Sequence, residues 1–526
     1  MNYALKNNQF LVNSNKLNLN DFTKRMSKMK EYSITEIQAL MEKGKLSAKK
    51  LTEMYLNRIS EIDKNGPKLN SVIEINPDAI KIAESLDEER KNKKIRGLLH
   101  GIPVIIKDNI NTEDKMQTTA GSLAFDGHIA SEDAFIVNKL RDAGAIILGK
   151  ANLSEWANFR STRSTSGWSS RGGQTLNPYS LDRNPCGSSS GSAVTVAANL
   201  CSVAIGTETD GSVICPSQTN SIVGIKPTIG LVSRTGIIPI SHNQDSAGPM
   251  ARTVQDAALL LNVMVGIDPN DSSTTKHNKN IPLDYTKFLD PNGLRGVRIG
   301  IARNYFGKSD LIDEIIEGAI EKLRELGAEI IDPVEIKTPN DLSEYEFQVL
   351  LYDFKHDLNE YLTKYGPINS LENISDIIKF NNEHKAKVMP YFGQELFTMA
   401  NEKGPITSDE YKEALEKCHN LARDEGIDAV MKEHKLDAIV APSGGAAWLI
   451  DYINGDHSTG GSSSAAAVAG YPNITVPAGY VYGLPVGISF FSGAFQEPKL
   501  LKIAYAFEQA TKIRKPPKFP PKVEVK

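Results

Sequence analysis

Cys186-Gly187-Ser188-Ser189-Ser190-Gly191-Ser192-Ala193 opens the stretch that decides the fold, and Gly206-Thr207-Glu208-Thr209-Asp210-Gly211-Ser212-Val213 closes it. Both ends are turns of glycine and hydroxyl residues, which bring backbone N–H groups and hydroxyls together with little side-chain bulk between them. That arrangement suits an oxyanion site with a serine nucleophile. A flexible Gly/Ser linker would share the composition. It would not share the intervening run from Val194 to Ile205, which is apolar and reads as a buried helix followed by a strand.

Working outward, Gly101-Ile102-Pro103-Val104-Ile105-Ile106-Lys107-Asp108 contains a short, continuously apolar run, as expected of a strand covered on both faces. It ends on Lys107. A lysine after a strand is ordinarily a surface residue. Here it directly follows a buried run, and the later Ser/Gly turns are available to enclose it. Burial can lower a lysine pKa from about 10.4 to near neutrality, and neutral lysine is a competent base.

Helix and strand patterns alternate through 132–150 and 190–235, which marks an α/β core. Ser33 to Glu36 reads as a capping box. Helices expected after Ser33, after Ser47 and from Pro77 to about Lys94 form an N-terminal helical layer. Further helices are expected over Pro249–Val265 and Ile312–Leu326, with strands at Arg298–Ala302, Ala438–Ala441, Ile474–Pro477 and Val486–Phe491. Between about 340 and 435 long charged helices interrupt this alternation, with aromatics at Tyr345, Phe347, Tyr352, Phe354 and Tyr361. Most of these rings are expected as contacts between helices, and some as the lining of a cleft. The expected organisation is a polar lead-in over 1–30, a catalytic domain over 31–515 with the insertion inside it, and a Lys/Pro-rich tail over 516–526.

The chain has 526 residues, 40% hydrophobic and 24% charged, with a net charge of -4. So small a charge argues against a polyanion-binding surface as the main business. The N-terminus is Asn- and Lys-rich with no apolar core of a signal peptide, and no run is long and apolar enough to span a bilayer. A cytoplasmic protein is expected, or an exported one whose signal has been removed. The four cysteines, Cys186, Cys201, Cys215 and Cys418, show no CxxC spacing and are too scattered for a disulfide framework, which fits a reducing compartment.

Taken together, these motifs resemble the amidase signature family. Cys186 to Ala193 resembles its Gly/Ser motif, Thr209-Asp210-Gly211-Ser212 its nucleophile turn, and Gly101 to Asp108 its lysine motif. Ser212 follows Ser188 by 24 positions, which fits the family's spacing. Similarity continues through Gly224 to Val232, Asp245 to Thr253, Ala469 to Pro472 and Gly483 to Gly487, so it covers about 33 to 515. The resemblance implies a single large mixed β-sheet flanked by helices, and a Ser–Ser–Lys triad: Ser212 as nucleophile, Ser188 on a cis Gly187–Ser188 peptide as relay, Lys107 as base. It implies an oxyanion hole from the backbone of Thr209, Asp210, Gly211 and Ser212, with Gly187, Ser189 and Asp245 in support. The implied activity is hydrolysis of carboxamides through an acyl-enzyme with release of ammonia, and it calls for no metal and no cofactor.

Three positions depart from the commonest family pattern. Cys186 and Ser190 each stand in place of a glycine, and Asp210 replaces the first glycine of Gly-Gly-Ser. The nucleophile turn, together with Gly236 to Ser241 and Asn454 to His457, looks most like the peptide amidase branch, which removes the C-terminal amide of peptides. A small-molecule or peptide amide is then the expected substrate, with no nucleic acid or membrane partner and a monomer or homodimer as the assembly. Fatty and aryl amides are alternative substrates within the family. A second reading is the amidase subunit of glutamyl-tRNA(Gln) amidotransferase, a glutaminase dependent on partner chains. A third is an inactive binding protein on the same fold, which three intact triad positions disfavour. A Ser-His-Asp hydrolase is disfavoured by scattered histidines and by the lack of a Gly-x-Ser-x-Gly elbow in the required context. His100 and His457 are expected in structural hydrogen bonds.

Overall fold

The computed structural model describes residues 29–275, 281–337, 341–366 and 368–525, so nearly all of the polar lead-in lies outside the described residues. Ser33–Lys526 forms one unit. Its frame is set by strands, the central ones too apolar to face water. They are β1 (Val72–Ile75), β2 (Pro103–Lys107), β3 (Ile146–Ala151), β4 (Trp168–Ser169), β5 (Gly173–Gln174), β6 (Val203–Glu208), β7 (Val223–Lys226), β8 (Ser246–Ala251), β9 (Arg298–Ala302), β10 (Glu329–Val334), β11 (Ala438–Pro442), β12 (Asn473–Val481) and β13 (Leu484–Phe491). Eleven of these build one sheet in the order β1-β3-β2-β6-β8-β7-β12-β13-β11-β9-β10, while β4 and β5 form a separate ribbon. The sheet is mixed: β2 runs parallel to β3 and β6, whereas β8 lies antiparallel to β6 and β7. Every residue of β2, β3 and β6 is buried, as central strands covered on both faces must be.

The helical layer before β2 forms as its sequence dictates. Ser33 caps Ile34–Glu42 with the reciprocal capping-box bonds to Glu36, and Ser47 caps Ala48–Arg58. The third helix is Ala79–Lys91. One expected helix is corrected. Residues 246–251 are strand β8, and the helix is Val254–Met264, capped by Thr253. Ser246-Ala247-Gly248-Pro249-Met250-Ala251 offers no β-branched signal, and Pro249 forbids a ladder donor. It is accommodated opposite Ile205, where the β7 ladder already ends at Gly224–Met250.

The insertion comprises helices Asp341–Tyr365, Ile374–Glu383, Lys385–Val388, Glu395–Asn401, Asp409–His419 and Asp428–His434. Its aromatics mostly make core. Phe354 and Tyr361 join Trp156, Phe159, Ile238 and Ile240 in one cluster, with Phe347 packed against it. Tyr352 joins Cys418, Ile439 and Phe491 in another, with Tyr345 against it. Helix Asp341–Tyr365 thereby lies over the loop 238–240 that borders the ends of β2 and β6. The tail is tied by backbone bonds from Leu181 to Pro520 and from Phe519 to Pro178. Among the described residues, no helix is long and apolar enough to cross a membrane.

Candidate active site

Ligand sites in sheets of this kind form beyond the carboxyl ends of parallel strands. Lys107 is the last residue of β2 and Glu208 the last of β6, and the two strands are neighbours in the sheet. The Lys107 side chain is fully buried, and its Nζ donates to Ser188 Oγ at 2.8 Å, to Thr207 Oγ1 at 2.8 Å and to the Thr207 carbonyl at 3.1 Å. All three acceptors are neutral. Burial therefore dominates and pushes the Lys107 pKa down to about 7, against the pull of the Asp245 and Glu208 carboxylates.

Ser188 sits on a turn made possible by small neighbours. A Cβ on Gly187 would lie 2.2 Å from Ser154 Oγ, and the Gly187–Ser188 peptide is cis. The turn runs into helix Ser190–Ala197, every residue of which is buried. Ser189 stitches this turn to the second one. Its Oγ exchanges hydrogen bonds with the Thr207 backbone, and its N–H donates to the Ser212 carbonyl at 3.2 Å.

The second turn, Thr209 to Ser212, is braced by carboxylates. Glu208 accepts from the amides of Val213 and Ile214 at 2.7 and 2.9 Å, capping the entry to helix Ile214–Thr219. Asp210 accepts from the hydroxyls of Ser463 and Ser464, each at 2.6 Å. Thr209 Oγ1 donates to Asp245, whose other oxygen accepts from the amides of Ile240 and Ser241. Gly211 has φ +73°, a conformation that disfavours any side chain. No protein acceptor among the described residues takes the amides of Asp210, Gly211 or Ser212, and the Ser212 hydroxyl makes no hydrogen bond there.

Hydrogen bonds thus link Lys107, Ser188, Ser189 and the Ser212 carbonyl by way of Thr207. Thr209 and Asp245 form a further pair on the second turn, and Gly187 and Gly211 supply the two tight bends. Sequence reasoning missed Thr207, which meets Lys107 twice, and Asn109, whose amide donates to Thr207 Oγ1. Thr207 sits inside the quoted Gly206–Val213 turn and Asn109 directly follows the quoted lysine motif, so their positions were visible though their roles were not. It also missed Glu346, a buried carboxylate of the insertion with its pKa pushed up to about 8 by burial and by Asp210; Gln244 donates to it. Nothing in a helical pattern signals that contact. A cavity of about 320 Å³ adjoins the network through Asn109, Thr207 and Thr209, and Tyr361 of the insertion lines it. Lys107, Ser188 and Ser212 lie outside its lining.

The cysteine reading is corrected. Cys186 and Cys215 form a disulfide, with Cys201 and Cys418 as buried thiols. The two partners are 29 positions apart and meet because the chain leaves along a helix and returns along β6. A disulfide persists where conditions are oxidising, so the cysteine count no longer argues for a reducing compartment. His100 is a structural residue, its Nε2 paired with the Leu86 carbonyl, and His457 lies near Asp451. Among the described residues, no cluster of three or more His, Cys, Asp or Glu is arranged to hold a metal ion.

The sequence profile of the amidases matches residues 50–501. The chain belongs to the amidase signature family. A probable amidase of Arabidopsis thaliana is 46% identical over 504 residues, covering 93% of this chain and 92% of its own. The peptide amidase of Stenotrophomonas maltophilia superposes with a TM-score of 0.88 at 50% identity, over 93% of this chain and 98% of that one. A glutamyl-tRNA(Gln) amidotransferase subunit from Thermoanaerobacter pseudethanolicus is 35% identical, over 93% of this chain and 99% of its own. The protein is accordingly an amide hydrolase, built on the mixed sheet and flanking helices of its amidase signature relatives.

Proposed function

We propose that the protein hydrolyses primary carboxamides through a Ser212–Ser188–Lys107 triad carried by residues 31–515, and that its substrates are peptides bearing a C-terminal amide. The observation that carries the triad is the 2.8 Å contact between a fully buried lysine amine and Ser188 Oγ. Ser212 Oγ attacks the amide carbon while Ser188 takes its proton and hands its own to neutral Lys107. The carbonyl oxygen becomes an oxyanion, received by the amides of the Thr209–Ser212 turn. Collapse breaks the carbon–nitrogen bond as the proton returns through Ser188 to the leaving nitrogen, and ammonia departs. Water then attacks the acyl-enzyme by the same route in reverse. Every group in this sequence is a side chain or a backbone amide, so the chemistry needs no cofactor.

The peptide amide reading draws on the likeness to the Stenotrophomonas enzyme and on where the branch-specific stretches lie. Gly236 to Ser241 lines the cavity, and Asp456 accepts from the Ser166 amide and from Asn184 and Trp448 beside the Cys186 turn. The test is ammonia release by the isolated chain from a dipeptide amide, free glutamine, a fatty amide and an aryl amide. Preferential turnover of the dipeptide amide is the expected result. Turnover of glutamine alone, rising with added partner subunits and tRNA, would replace this reading with that of the amidotransferase subunit, whose sequence likeness gives it standing.

The base sets a pH dependence. Lys107 must be neutral to accept a proton, and its pKa lies at about 7. Below that value the neutral fraction falls about tenfold per pH unit, so kcat/KM is expected to fall likewise on the acid side and to level off above it. Asp245 raises the lysine pKa, so Asp245→Asn is expected to move the acid limb to lower pH. A pH profile flat between about 5 and 8 would remove Lys107 as the base.

A further inference from the structure

We infer that the Cys186–Cys215 disulfide is a positioning device for the proposed triad, holding the Ser188 turn against the Ser212 turn, so that its reduction lowers turnover. The inference rests on the triad reading above. Cys186 precedes Ser188 by two residues and Cys215 follows Ser212 by three, so the bridge joins the outer flanks of the two turns. The loop it closes contains both serines, helix Ser190–Ala197, β6 and all of Thr209 to Ser212.

The two serines otherwise take their places from different elements. Ser188 is held from β2 by Lys107 and from the following helix, where Ser190 Oγ donates to the Cys186 carbonyl at 2.6 Å. The Ser212 turn is held by Asp210 to Ser463 and Ser464 and by Thr209 to Asp245. Close to the serines, the turns share the Ser189–Ser212 backbone bond. At the far side, Thr219 and Asn220 donate to the Pro185 carbonyl. Proton transfer between two hydroxyls demands hydrogen-bond reach, and a small misplacement costs rate steeply. A covalent tie between the flanks limits that misplacement where the neutral hydrogen bonds yield.

Cys215 is partly exposed, so a small dithiol has access. A thiolate of the dithiol attacks one sulfur and forms a mixed disulfide; its second thiol then closes the oxidised ring. Two electrons and two protons pass to the protein, leaving Cys186 and Cys215 as thiols.

The test uses the full chain. Thiols are counted in denaturant by mass after alkylation, with two expected before dithiol treatment, from Cys201 and Cys418, and four after it. The nucleophile is located and the competent sites are counted by labelling to completion with a sulfonyl fluoride. Dithiol-reduced protein and a Cys186→Ala/Cys215→Ala variant are then compared with the oxidised protein. Per labelled site, kcat is expected to fall about tenfold or more while KM moves less than about threefold. Four thiols before reduction would overturn the inference. So would an unchanged kcat per labelled site, including the case in which activity and labelled sites fall together, because the bridge would then serve folding alone. Labelling at a residue other than Ser212 is a separate outcome: it overturns the triad reading, and this inference with it.

Discussion

Ser212→Ala is expected to lower ammonia release from a peptide amide by on the order of 10⁴- to 10⁶-fold, the scale seen when an activated serine is removed from a hydrolase. Among the described residues, the neighbouring hydroxyls of the two turns are engaged elsewhere. Ser188 and Ser189 hydroxyls are occupied by Lys107 and by the Thr207 backbone, and Thr209 Oγ1 is committed to Asp245. Lys107→Ala is expected to be comparably severe, because the relay then has no acceptor beyond Ser188. That substitution also opens a hole in a fully buried site, so Lys107→Met, which fills the space without a base, is the companion variant. Combining Ser212→Ala with Lys107→Met should cost little more than either alone, since the residues act as one unit. The measurement is steady-state ammonia release, with circular dichroism confirming that each variant is folded. A Ser212→Ala protein within about tenfold of the parent rate would refute the assignment.

That proposed assignment comes from the resemblance to the amidase signature family, and the motifs that carry the resemblance are local. The bends at Gly187 and Gly211, the apolar run into Lys107 and the spacing of the two serines all lie within short stretches. The sheet was legible where strands are branched and apolar, as at Val104 to Ile106. It was not legible at β8, whose small residues and proline carry no strand signal and whose place is fixed by β6 and β7 on either side. Partners distant in sequence were also hidden. The Cys186–Cys215 bridge, the seat of Glu346 beside Gln244, and the hydroxyls of Ser463 and Ser464 on Asp210 all depend on where the chain returns, which periodicity does not encode.

Another such pairing yields the largest expected loss of stability. Arg160 and Glu155 are both fully buried and joined at 2.7 Å. The guanidinium also donates to the Val388 carbonyl at 2.6 Å and lies over the Phe392 ring at 4.3 Å, which fastens the insertion to the segment around Trp156. Glu155 in turn accepts from the Ser170 amide. Burial alone would drive Glu155 toward its protonated form, and the arginine opposes that. Glu155→Ala removes the countercharge and leaves a buried guanidinium without its carboxylate, at an expected cost of about 3–5 kcal/mol. Replacing both, as Glu155→Leu with Arg160→Met, removes the charge together with its need for a partner and should recover much of that loss. Denaturant titration of the three proteins measures both effects. Faster amide exchange over residues 385–397 in Glu155→Ala would locate the loss at the insertion, because the Arg160 carbonyl also accepts there from the Leu396 amide. A single variant less than about 1 kcal/mol below the parent would mean that water or a neighbouring carbonyl replaces the carboxylate, and that the pair does not hold the insertion down.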